Sequence, residues 1–119
     1  MPHRILVITL SAVLTATTLV GAQPKGERRT VKGEVVDLWC YLEGGDRGPA
    51  KKQCATACAK AGNPIGILDS EGILYVAAGL KDHQSASTLL LNRMSDEVTA
   101  DGTVVKKGGV QMIYIDAVR

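Results

Sequence analysis

Five short apolar runs, each bounded by polar or glycine-bearing turns, constrain this chain more than any other feature. In residues 30–40, Val31, Gly33 and Val35 alternate with Lys32 and Glu34, the period of a half-buried strand. The alternation breaks at Val35-Val36, and Gly33 permits a tight curve, so this strand is expected to bend or bulge. Residues 65–68 and 73–77 read as a hairpin about Asp69-Ser70-Glu71-Gly72. Residues 98–106 and 110–118 read as two further strands joined by Lys107-Gly108-Gly109. Two helical stretches interrupt the series. One covers residues 50–61, with Pro49 in its first turn and Gly62 past its end. The other starts at Asp82 or Ser85 and runs to about Met94, with Ala86, Leu89 and Leu90 facing inward.

The order is therefore strand, helix, strand, strand, helix, strand, strand. Without the first helix it is the order of an OB-type barrel, with one helix between the third and fourth strands. The expected fold is mainly β: an OB-like five-stranded barrel with two helices, in which a cysteine-bearing helix is inserted between strands 1 and 2. A bent first strand suits one that serves both halves of a small barrel. The rival is an open α+β sheet with both helices on one face.

Residues 1–22 have the three-part pattern of a secretory signal: basic Met1-Pro2-His3-Arg4, an uncharged apolar run over residues 5–20, and small residues ending at Ala22. The run is short for a membrane anchor, which needs about 20 apolar residues. The expectation is an exported protein, periplasmic or extracellular, with no membrane span after cleavage. Residues 23–29 read as a flexible leader and residues 30–119 as one domain. Beyond residue 22, thirteen Lys/Arg face twelve Asp/Glu, a balance that gives no argument for nucleic acid or an acidic membrane surface. The core must be built of Val, Ile, Leu and Ala, because the chain has one Trp, three Tyr and no Phe. A small core of this kind has little stability to spare, so a disulfide or bound metal would matter energetically.

Cys40, Cys54 and Cys58 are the residues that carry chemistry. Cys54 and Cys58 are four apart on the expected helix, on a stripe with Ala50, Ala57 and Ala61 that reads as its inward face. Cys40 reads as the end of the first strand, so three sulfurs are expected to meet at one strand–helix junction. Soft thiolates favour Cu(I), and Zn(II) if a fourth ligand is added. Candidates for that ligand are Asp37, His83, and the thioethers of Met94 and Met112. Lys51, Lys52 and the helix N-terminus are expected to lower the thiol pKa values.

Two other readings of the same residues stay open. In an oxidising compartment cysteines usually pair. A Cys40–Cys54 or Cys40–Cys58 bond would staple the inserted helix to the first strand, stabilising by roughly 3 kcal/mol. Thiol–disulfide exchange is the third reading, although Cys-x-x-x-Cys is a weaker redox signal than Cys-x-x-Cys. Trp39 and Tyr41 alternate along the expected strand end and read as core, rim or ligand face. One histidine beyond residue 22 excludes an arguable Ser-His-Asp set, and no phosphate-binding glycine loop is present.

The segments Gly33-Glu34-Val35-Val36-Asp37, Cys40-Tyr41-Leu42, Cys54-Ala55, Cys58-Ala59, Gly62-Asn63-Pro64-Ile65-Gly66 and Gly72-Ile73-Leu74-Tyr75 together resemble a group of small exported bacterial proteins of uncharacterised function. The tail from Val98 to Val105 and Gly108-Gly109-Val110 resembles the last strands of the same group. The resemblance implies a His shortly before the Cys-Ala pair, where this chain has Lys51-Lys52-Gln53. It implies no activity. The chain as a whole reads as a binding protein rather than an enzyme. It would hold a soft metal ion (Cu or Zn) or serve as a disulfide-stabilised module for a protein partner.

Overall fold

The structure, a computed structural model, describes residues 24–119; the expected signal segment, residues 1–22, lies outside them. Five strands form a closed barrel in the order β1-β2-β3-β5-β4: β1 (Glu27–Asp37), β2 (Ile65–Asp69), β3 (Leu74–Gly79), β4 (Glu97–Lys107) and β5 (Val110–Val118). All neighbours are antiparallel except β3 and β5, whose parallel pairing joins the two halves. The helices are α1 (Leu38–Gly44), α2 (Lys52–Lys60) and α3 (Ala86–Leu90).

The first strand does serve both halves. Its N-terminal part, Glu27 to Glu34, pairs with β4, and its C-terminal part, Gly33 to Asp37, pairs with β2. Gly33 lies in the overlap, opposite both Asp69 and Val98. A Cβ there would collide with the Leu68 carbonyl, so the close approach of strands at this seam requires glycine. The strand begins at Glu27, so the last three residues of the expected leader belong to the sheet, opposite Val104, Thr103 and Gly102. The β2–β3 hairpin and the two-residue Gly108-Gly109 connection fall where turn chemistry placed them; both glycines have the positive φ of a tight hairpin.

Alternation along the strands fills the barrel with Val31, Val35, Ile65, Ile67, Tyr75, Ala77, Val98, Ala100, Val104, Ile113 and Ile115. Leu90 of α3 and Met94, after a 3-10 turn over Leu91–Arg93, add to this core and are fully buried. A second, smaller cluster lies apart from it. Val36, Leu38 and Leu68 are buried together, with Tyr41, Leu74 and Val76 packed against them. This cluster seats α1.

Two expectations are corrected between β1 and β2. The first strand does not run to residue 40. It ends at Asp37, and Leu38–Gly44 is a helix. Leu38 and Tyr41, three apart, share the face that meets the second cluster, and Trp39 turns outward with 69% of its surface exposed. Trp39 is therefore neither core nor strand rim. The inward face of α2 is also rotated from the expected stripe: Ala55 and Ala59 are buried in the barrel core, while Ala50, Ala57 and Ala61 are exposed. One residue of offset turns a helix face by about 100°, so the cysteines at 54 and 58 flank the buried face instead of forming it.

Candidate metal centre

Asp37 sets the site. As the last residue of β1 it is extended (φ −76°, ψ 127°), and its side chain caps α1: Cys40 N–H donates to Asp37 Oδ2 at 2.9 Å. The other oxygen, Oδ1, is buried without a hydrogen-bond partner, and the residue is only 2% exposed. At the far end, Gly45 in the left-handed conformation closes the helix, its N–H donating to the Tyr41 carbonyl at 2.8 Å. Leu38 N–H donates to the Pro64 carbonyl at 3.0 Å, which ties the start of α1 to the start of β2.

The chain then returns past Glu34. Its carboxylate accepts from Gly48 N–H and pairs with Arg47 at 3.3 Å, holding the connection between the helices against β1. Pro49–Lys51 makes one 3-10 turn before α2 begins. Lys51 pairs with Asp46 at 3.0 Å and Lys52 with Asp96 at 2.7 Å. Ala55 and Ala59 fix the rotation of α2 by entering the core.

These restraints bring Cys40, Cys54 and Cys58 together. The three Sγ atoms lie within 4.8 Å of one another, with Cys40 Sγ and Cys58 Sγ 3.9 Å apart. Cys40 and Cys58 are half-buried and Cys54 is exposed. All three are free thiols, and 3.9 Å is far from the roughly 2.05 Å of a disulfide. It does match the spacing of two sulfurs sharing one ion: ligands about 2.3 Å from a metal lie roughly 3.8–4.0 Å from each other. The cluster can form a metal site with little movement.

The electrostatics run opposite to the expectation drawn from the lysines. The Cys40 thiol is pushed up to about 12 from an ordinary 9.0, first by the Asp37 carboxylate beside it, which favours the protonated sulfur, and then by burial. Burial is also the main cause that raises the Cys58 thiol. Lys51 and Lys52 do not prevail because each is already paired with a carboxylate.

The other candidate ligands are placed as follows. Asp37 accepts the Cys40 N–H as the helix cap and lies outside the group of atoms with metal-ligand spacing. His83 sits at φ 60° on the exposed connection after β3, with 92% of its side chain in solvent and its Nε2 3.3 Å from Asp82. It lines a shallow concavity with Pro24, Leu80 and Tyr114 and is not part of the sulfur cluster. Met94 is buried in the barrel core and Met112 is half-buried on β5. The residue whose structural weight the sequence understated is Leu38, the anchor of α1, which is buried with Val36 and Leu68.

Exposure and protonation together predict a thiol reactivity order. Brief treatment of the reduced protein with an alkylating agent near neutral pH should label Cys54 first, by mass mapping, and all three once the chain is denatured. Equal labelling of Cys40 and Cys54 would contradict this placement.

No family model, curated protein or solved structure matches this chain. Among the described residues no helix is long and apolar enough to cross a membrane.

Proposed function

We propose that this protein is an exported, non-enzymatic binding protein that holds one soft metal ion, Cu or Zn, through Cys40, Cys54 and Cys58. A single observation carries the reading: three sulfur atoms within 4.8 Å of one another, supplied by two helices that are fixed to the barrel independently. The closed five-stranded barrel, in the order β1-β2-β3-β5-β4, supports reading it as OB-like with α1 and α2 as an insertion between its first two strands. In that frame the barrel is the support and the insertion is the working part. Soft thiolate donors select Cu(I) or Zn(II) over the harder divalent ions. Asp37 contributes as the cap that orients Cys40.

The test is metal content. Untagged protein recovered from the exported fraction and handled anaerobically should carry about one Cu or Zn per chain. Cys40→Ser should reduce this at least tenfold while leaving the far-UV circular dichroism unchanged. Metal content equal in the two proteins would remove the reading.

The 3.9 Å approach of Cys40 and Cys58 favours one second reading: a disulfide between them in an oxidising compartment, with Cys54 as the spare thiol and the barrel as an interaction module. Thiol labelling after denaturation without reductant separates the two. Three labels after metal removal support the metal site, and one label supports the disulfide.

A further inference from the structure

Within the metal reading, on which this inference rests, the three sulfurs are not equivalent. Cys40 is held by the Asp37 cap and by the packing of its helix neighbour Leu38. Cys58 precedes Ala59, which is buried in the barrel core, and its sulfur is 3.9 Å from that of Cys40. Both are half-buried. Cys54 lies one turn earlier on α2 and is exposed. An ion bound by all three would therefore rest on an anchored pair and face solvent on the side of the third. Among the described residues, the cluster that meets metal-ligand spacing contains these three sulfurs and neither a histidine nor a carboxylate donor. Three soft donors without a fourth suit a monovalent soft ion, whereas Zn(II) almost always completes a tetrahedron.

We infer that the cluster takes Cu(I) in a three-coordinate thiolate site and that Cys54 is the ligand through which the ion is exchanged with an external thiol or thioether donor. In the exchange an incoming sulfur forms a bond to Cu(I), a thiol giving up its proton to solvent as it does so and a thioether binding without proton loss, while the Cys54 Sγ–Cu bond breaks. Cys54 leaves as a thiolate and takes a proton from solvent; copper stays Cu(I), and no electron is transferred. Cys40 and Cys58 retain the ion until a second substitution. The partner class is a molecule that presents soft sulfur ligands, and no docking surface is required for the first step.

The experiment uses the purified chain, reduced and loaded anaerobically with Cu(I), beside its Cys40→Ser, Cys54→Ser and Cys58→Ser variants. Copper coordination is read by X-ray absorption and affinity by competition with a Cu(I)-specific chelator. Wild type should bind one Cu(I) in three-coordinate form and release it to the chelator at a rate proportional to chelator concentration. Cys54→Ser should keep one Cu(I) in two-coordinate form, and adding a small monothiol should restore three-coordination. Cys40→Ser and Cys58→Ser should lose at least 100-fold in affinity and should not be restored. A release rate independent of chelator, or a Cys54→Ser variant as impaired as the other two, overturns the inference. Binding of Zn(II) without Cu(I) overturns it while leaving the metal reading standing; binding of neither metal ends both.

Discussion

Apparent affinity for Cu(I) should rise by at least about 100-fold for each pH unit between pH 6 and 8. Cys40, pushed up to about 12, and Cys58, raised mainly by burial, both carry protons throughout this window. Each must lose its proton as its sulfur bonds the metal, so binding releases at least two protons and tightens as the pH rises. Competition against a chelator of known pH-corrected affinity measures the slope directly. An affinity that does not change with pH would remove Cys40 and Cys58 from the ligand set. In the metal-free protein the same upward shift acts in the other direction. The contribution of protonated Cys40 to stability is present in full below the ordinary thiol value of 9.0 and is lost as pH climbs from there toward about 12. Alkali should therefore weaken the empty fold while it strengthens metal binding.

Loading the reduced protein with metal should raise its melting temperature by about 15 °C or more. A ligand that binds only the folded chain, at a concentration a thousandfold above its dissociation constant, stabilises it by about 4 kcal/mol. In a domain of this size each kcal/mol moves the midpoint by about 4–8 °C. The gain should be large here because the three sulfurs come from two short helices held to the barrel mainly by Leu38, Tyr41, Ala55 and Ala59 and by the Lys52–Asp96 and Glu34–Arg47 pairs. Calorimetry with and without Cu(I), under reductant, checks it. If the cysteines act instead as a disulfide pair, the order reverses: oxidised, metal-free protein melts highest, and reductant lowers the midpoint whether or not metal is present.

The strands and their turns were readable in the chain because each rests on local chemistry. Val31, Gly33 and Val35 alternate, Gly108-Gly109 can adopt only a few turn geometries, and Asp69 organises its own turn by accepting from Glu71 and Ile73 N–H groups. The meeting of the three sulfurs was also readable, from a four-residue helical spacing and one cysteine just upstream. The helix Leu38–Gly44 was not readable. Seven residues that include Trp, Cys and Tyr have little helical preference of their own. What makes them helical is the docking of Leu38 and Tyr41 on the outer face of the sheet, a contact made with Leu68 and Leu74 far along the chain. The rotation of α2 was hidden for a related reason. Alanines at 50, 55, 57, 59 and 61 permit more than one apolar stripe, and burying a methyl group discriminates weakly among them. The raised thiols were missed because their causes exist only in the folded chain: the Asp37 carboxylate turned against Cys40 by its cap, and the burial of Cys40 and Cys58 against the barrel.

All three sulfur donors fall between β1 and β2, and that segment leaves and re-enters the sheet at adjacent points, where Asp37 sits opposite Ile65 and Leu38 N–H meets the Pro64 carbonyl. A piece of chain whose two ends are clasped side by side is close to a detachable cassette. Its exposed positions can diverge freely, while Leu38, Ala55, Ala59 and the Lys52–Asp96 and Glu34–Arg47 pairs keep it in register with the scaffold. Conversely, a graft onto another antiparallel strand pair needs the two anchor points and also a recess that accepts Ala55 and Ala59.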